Sequence, residues 1–213
     1  MNADRGRARD HRAAALAGVL LIGAGAAILM GIITAEATYP DTYTTFENQI
    51  SDLGASRPPD SIIREPSATI FNSVMIVTGA MILVASYFLH RAFDTRRVTI
   101  SVACIGIGVL GVGVFPGNNA TLHPIFALTA FLSGGVAALL CARVQTLPFR
   151  FVSRALGAIT LVSLAIGMGG EGSVFYEELG DGGIERWIAY PAVLWLVAFG
   201  AYLTARGDEA LNA

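Results

Sequence analysis

Six runs of apolar residues, each long enough to cross a bilayer, restrict this chain to very few folds. Crossing about 30 Å of hydrocarbon at 1.5 Å per residue takes a helix of about 20 residues. Runs of that length occupy 13–35, 68–93, 98–115, 122–142, 151–169 and 184–205. Lipid offers no hydrogen bonds, so each run must satisfy its backbone internally, and such segments predict helices. The fold class is therefore an all-α membrane protein, a six-transmembrane-helix bundle forming one domain over 13–205, flanked by a basic tail (1–12) and a short tail (206–213). The fifth run is the weakest, shortened by Arg154 and ended by Gly169 and Gly170. Only 14% of the residues are charged, against about 25% in an average soluble domain, which argues against a soluble alternative.

Charge is partitioned along the chain. Eleven of the fourteen arginines fall before the first run, between the second and third, between the fourth and fifth, or after the sixth. The intervening segments hold Arg57, Arg64 and Arg186 among many acids, Glu36, Asp41, Glu47, Asp52, Asp60, Glu65, Glu171, Glu177, Glu178, Asp181 and Glu185. Arginine-rich short loops stay cytoplasmic, so this pattern predicts a cell-membrane protein with both termini in the cytoplasm and the acidic loops outside. A cleaved signal peptide ending at Ala35-Glu36-Ala37 is the competing reading of the first run. Its 23 apolar residues exceed the roughly 7 to 15 of a signal core, and its small residues suit a packed helix. All basic residues are arginine and none is lysine, a composition bias that gives no sign of nucleic-acid binding.

Small residues recurring on one helix face mark helix contacts in lipid. Ser101, Cys104, Gly108 and Gly111 do so in the third run, and Ala127, Ala130, Gly134, Ala138 and Cys141 in the fourth. With a tight turn at 116–119 between them, these runs predict a close hairpin. The two cysteines have no metal-ligand spacing.

The segment 36–67 reads as ordered. Phe46, Ile50 and Leu53 recur at helical spacing, Thr44-x-x-Glu47 matches a capping box, and Gly54 stands where a glycine stops a helix. This predicts a short amphipathic helix in the first outer loop, lying on the membrane or folded over the bundle, with Glu47, Asn48, Ser51 and Asp52 on its polar side. Near the end of such a helix Asp52 is badly placed for the dipole, which points to a partner elsewhere. The glycines of 170–183 predict a flexible turn. Tyr39, Tyr43, Phe175, Tyr176, Trp187 and Tyr190 fit an interfacial aromatic belt.

Further polar residues sit at the same ends of the helices: Asn72 and Ser73 in the second run, His123 at the start of the fourth, and Glu185, Arg186 and Tyr190 in the sixth. Each has a purely structural use as well. His123 can be a hydrogen-bonded helix terminus and Asn72 a bridge between helices; Glu185 can meet the positive end of its own helix, and Arg186 can pair with a loop acid. Asn119-Ala-Thr121 is a glycosylation sequon close to the membrane. No nucleophile elbow, zinc-protease or phosphate-loop motif is present. Zinc would have to use His123 with carboxylates such as Asp52 and Glu185, without supporting spacing; no metal and no cofactor is expected.

Several short motifs together resemble one family. They are Asn48-Gln-Ile-Ser51-Asp52-Leu-Gly54-Ala55, Phe71-Asn72-Ser73, Gly113-Val-Phe115-Pro116, His123-Pro124, Ser133-Gly134-Gly135 and Glu185-Arg186-Trp187-x-x-Tyr190-Pro191. This set is similar to that of the prokaryotic membrane proteins grouped as the domain of unknown function 998 family, over nearly the whole chain outside the basic tail. The resemblance implies a multi-pass archaeal or bacterial membrane protein and no particular chemistry.

Three functions remain open. The first is non-enzymatic: an outward-facing polar pocket formed by Glu47, Asn48, Ser51, Asp52, Asn72, Ser73, His123, Glu185, Arg186 and Tyr190 binds a membrane-lipid headgroup, a small polar ligand or a membrane protein partner. The alternative is a hydrolase or transferase with His123 or Asp52 as base, Glu185 as a further candidate, and Arg186 holding an anionic group. A small transporter comes third, weakened by the lack of ionisable groups at the helix centres.

Overall fold

The computed structural model describes residues 2–93, 95–169 and 172–211. Gly170 and Glu171, at the start of the expected second loop, lie outside the described residues, as do the side chains of Arg5, Arg7 and Arg9. Six helices follow one another: α1 (Asn2–Ala37), α2 (Ser67–Phe93), α3 (Arg96–Val114), α4 (Leu122–Cys141), α5 (Phe149–Gly169) and α6 (Val174–Leu211). All six are long and apolar enough to cross a membrane, and the chain is a multi-pass membrane protein.

The helices form a ring in chain order, each packed on the next, and α6 closes the ring on α1. Contact between α4 and α6 leaves α5 outside that seam, packed chiefly on these two helices and on the 3₁₀ turn Ala142–Val144. Glycines set the closest approaches. A Cβ on Gly18 would overlap the Gly200 carbonyl of α6, and one on Gly108 the Ala130 backbone of α4. Van der Waals contact at this range, more than hydrophobic force, holds helices together in lipid. The expected α3–α4 hairpin forms, its turn closed by the Asn119 N–H donating to the Pro116 carbonyl at 2.9 Å. The small-residue stripe of α4 is divided, however, for Ala130 faces α3 whereas Gly134 faces Ala192 of α6. Between α5 and α6 the buried Trp195 stacks on Phe199 at 5.1 Å and donates its Nε1–H to Ser153 Oγ of α5 at 3.0 Å.

The loop end differs from the sequence expectation in two ways. Instead of an amphipathic helix capped by Thr44, the first loop holds one 3₁₀ turn, Ile50–Leu53. Thr44 Oγ1 does accept the Glu47 N–H at 3.1 Å, but the Asn48 side chain accepts the Thr44 N–H at 2.9 Å and closes a separate turn. Phe46 is exposed, whereas Ile50 and Leu53 are buried in the bundle core. Gly54 is in the right-handed region; a Cβ there would displace the Asn72 side chain.

The second difference concerns the expected flexible turn over 170–183. From Val174 onward it is helical, and α6 runs through it with one break at Gly180 (φ 65°, ψ 177°), a conformation essentially reserved for glycine. Helix α1 starts at Asn2, within the basic segment 1–12. Its Arg- and Ala-rich sequence has high helix propensity, which carries the span outward.

Candidate functional site

Arg186 organises the loop end. Its Nη1 donates to the carbonyls of Gly182 at 2.9 Å, Asn48 at 3.0 Å and Thr45 at 3.4 Å, while Nη2 donates to the Glu36 carboxylate at 2.5 Å and Tyr43 Oη at 3.0 Å. The Gly182 N–H donates to the Phe46 carbonyl at 3.0 Å. A planar guanidinium suits this task because several donors act in fixed directions. The loop segment 43–48 is thereby stapled to α6 and to the end of α1. Burial pushes the Tyr43 hydroxyl pKa up, against the opposing pull of Arg186; Tyr43 remains a neutral donor, to the Gln49 carbonyl at 2.8 Å.

Beside this staple, Glu185 joins α6 to the 3₁₀ turn. Its carboxylate accepts the Ile50 N–H and, at 3.4 Å, the Ser51 N–H. The acceptor expected to meet the start of its own helix thus meets the start of another, because α6 begins eleven residues before it. Asp52 also caps that turn, accepting the Gln49 N–H at 2.8 Å. Since the turn is only four residues long, Asp52 lies in its first part, where the dipole favours an acid, contrary to the sequence expectation. Burial raises the Asp52 pKa, opposed by the Gln49 N–H and Arg57.

His123 is placed by the break between α3 and α4. Pro116 has no N–H to bond back into α3, and His123 Nδ1 lies 2.8 Å from the Phe115 carbonyl. A carbonyl only accepts, so Nδ1 carries the proton and Nε2 is left for another partner. Asn119 Oδ1 accepts the Leu122 N–H at 2.9 Å and serves as an added cap on this helix.

Two cavities meet at these residues. One, of about 90 Å³, lies at the bundle centre and is lined by apolar residues such as Ile28, Met75, Val109 and Leu196. The other, of about 440 Å³, is an open groove between α4, α5 and α6. Its inner wall is apolar, with Leu128, Phe131, Leu164, Met168 and Ile188; its mouth is polar, with Gln49, Arg57, Asp181 and Tyr176. Ser51, His123, Ala127, Phe131 and Glu185 line both. The groove exists because α5 sits outside the α4–α6 seam.

Of the residues nominated from the sequence, Ser51, His123 and Glu185 line the cavities, and Asp52 caps the turn that roofs them. Asn48 and Arg186 belong to the staple. Asn72 donates to the Gly54 carbonyl at 3.4 Å, under the roof. Tyr190 packs half-buried against the core. Glu47 and Ser73 are exposed and line neither cavity. The aromatic belt also divides: Phe175 and Trp187 are exposed and meet edge to face at 6.3 Å, while Tyr43 and Tyr190 turn inward. Sequence reasoning missed Gln49 and Arg57, whose side chains bond at 2.6 Å, and the Phe115 carbonyl. Arg57 had a signal, as one of few arginines at the acidic end; the others are set by backbone placement. Among the described residues no group of three His, Cys, Asp or Glu residues converges on a metal-sized site.

No curated protein and no solved structure matches the chain. A family model described as "Protein of unknown function (DUF998)" matches residues 21–202, nearly the whole membrane domain. That span takes in the motifs of the first loop, the α3–α4 turn and the Glu185–Pro191 stretch, and the chain belongs to this DUF998 family.

Proposed function

We propose that this protein binds an amphipathic lipid, with the headgroup under the roof formed by the 3₁₀ turn and the chain along the groove between α4, α5 and α6. The observation that carries this reading is the groove itself: about 440 Å³, polar at its mouth and apolar along its wall, in a bundle surrounded by lipid. Ligand sites of this size, mostly apolar with a few convergent polar groups, are the common form of a small-molecule site. The arginine partition supports an orientation with both termini cytoplasmic and the roof outside the cell membrane.

The alternatives have less support. A hydrolase using Arg186 to hold an anion lacks a free guanidinium, since Nη1 and Nη2 already face five oxygen acceptors. A transporter needs a polar path, and the central cavity ends among apolar side chains.

Native mass spectrometry of protein purified in mild detergent tests the proposal. Wild type should retain a lipid-sized adduct, and Ala127→Trp, which fills the junction of the two cavities, should lose it while still folding. Equal adducts in both would refute lipid binding in the groove. A cysteine introduced at Ser56 should react with an impermeant maleimide added outside intact cells; reaction only after lysis would reverse the orientation.

A further inference from the structure

Resting on the lipid-binding reading, we infer that the headgroup accepted under the roof is an uncharged hydroxyl-bearing one, as in a monoacylglycerol or a long-chain alcohol, and not a phosphate. His123 stands on the wall common to both cavities. Its Nδ1–H is committed to the Phe115 carbonyl, and among the described residues no carboxylate hydrogen-bonds to the ring. The neutral imidazole therefore presents Nε2 as an acceptor. Around it the groups also favour a donor. Asp181 lines the groove mouth and accepts the Tyr176 hydroxyl on one oxygen; Asp52 lines neither cavity but caps the turn above; the Glu185 carboxylate is already supplied by the Ile50 and Ser51 N–H groups.

Against these three carboxylates stands Arg57, an exposed guanidinium that already donates to Gln49. A phosphate would bring acceptors to acceptors and negative charge to negative charge. An ammonium would suit the carboxylates, but His123 shares the groove wall with the apolar side chains of Ala127 and Phe131, where an ion loses its hydration. A hydroxyl meets both limits: it donates to Nε2 and can accept from the Ser51 hydroxyl on the same wall. The central cavity of about 90 Å³ is too small for a long chain, which leaves the groove as the place for it.

The test titrates the full-length protein with a monoacylglycerol, an alkyl phosphate and an alkyl ammonium of one chain length, and with free glycerol. The monoacylglycerol should bind roughly tenfold tighter than either ion, the worth of a hydrogen bond made against one left unmade, and glycerol should not be retained. His123→Asn keeps a donor for Phe115 and deletes the acceptor at Nε2. It should weaken the monoacylglycerol roughly tenfold and leave the alkyl phosphate unchanged. Should that variant fail to fold, Ser51→Ala removes the wall hydroxyl instead and should weaken the same ligand several-fold.

Phosphate binding equal to or tighter than the monoacylglycerol, or unchanged monoacylglycerol affinity in the folded variant, would overturn the headgroup assignment. Glycerol binding as tightly as the monoacylglycerol would overturn the requirement for a chain. If no amphiphile binds, or Ala127→Trp leaves binding of all of them intact, the lipid reading itself falls. Loss of all binding in Ala127→Trp without any headgroup preference would leave that reading standing and sink only the hydroxyl.

Discussion

Arg186 Nη2 donates to the Glu36 carboxylate at 2.5 Å, and this pair joins the end of α1 to α6 at the mouth of the bundle. The same guanidinium holds the loop carbonyls of Thr45 and Asn48, so one side chain fixes both the closure of the helix ring and the position of the roof.

Removing that side chain leaves an acid and three carbonyls short of donors. Breaking a buried pair costs about 3–5 kcal/mol. Since the Glu36 side chain is 24% exposed, Arg186→Ala should cost about 2–3 kcal/mol, read by thermal unfolding in detergent. Limited proteolysis should find new cleavage within 43–49. Arg186→Lys should recover only part of the loss, because an ammonium cannot reach all these acceptors in plane. Wild-type stability in Arg186→Ala would show that the staple is not holding the loop.

Gly180 lies at φ 65° and a Cβ there would overlap the Phe46 carbonyl. Gly180→Ala should destabilise the protein by about 1–3 kcal/mol, the cost of a side chain in that backbone region. Gly172→Ala, at φ 109° but with nothing among the described residues beyond its chain neighbours within 4 Å of its Cβ, separates strain from overlap: it should cost less, in the same unfolding assay.

Gly108 meets the Ala130 backbone across the α3–α4 hairpin. Gly108→Val should therefore cost about 1–3 kcal/mol by overpacking, since backbone cannot yield as a flexible side chain does. The control is Gly169→Ala, where among the described residues nothing outside its own helix backbone and chain neighbours lies within 4 Å of the added carbon; its unfolding midpoint should not fall below wild type.

Asp52 lies outside the membrane spans, and burial raises its pKa above the ordinary aspartate value. For a group whose pKa is higher in the fold, the stabilising contribution is full at low pH and is lost as pH rises through the folded value. Stability should therefore increase as pH falls from above that raised value toward the ordinary aspartate value, and Asp52→Asn should flatten that slope while its side-chain oxygen still accepts from Gln49. A slope unchanged in Asp52→Asn would assign it to another acid.

Local chemistry made much of the architecture readable. Apolar length gives six spans because lipid forces each to be a helix, and small-residue spacing marks the α3–α4 contact because backbones must approach closely there. His123, Asp52, Glu185 and Ser51 were legible as polar residues gathered at one end. The length of the roof turn was not. Phe46, Ile50 and Leu53 have helical spacing, yet the Asn48 side chain closes a separate turn and Arg186 takes the carbonyls of Thr45 and Asn48, which ends any continuous helix there.

What the sequence alone determined, then, is the number of spans, their helical state, the partition of arginine and the end of the bundle where the polar residues collect. Each follows from interactions a residue makes with lipid or with neighbours a few positions away. Only the tertiary structure decided that Arg186 and Glu185 hold a loop more than 130 positions earlier in the chain, that His123 turns Nδ1 to Phe115, and that α5 stands outside the α4–α6 seam and leaves a groove. Those outcomes depend on which helix backbones approach and which carbonyls are left without partners, quantities that no run of residues carries by itself.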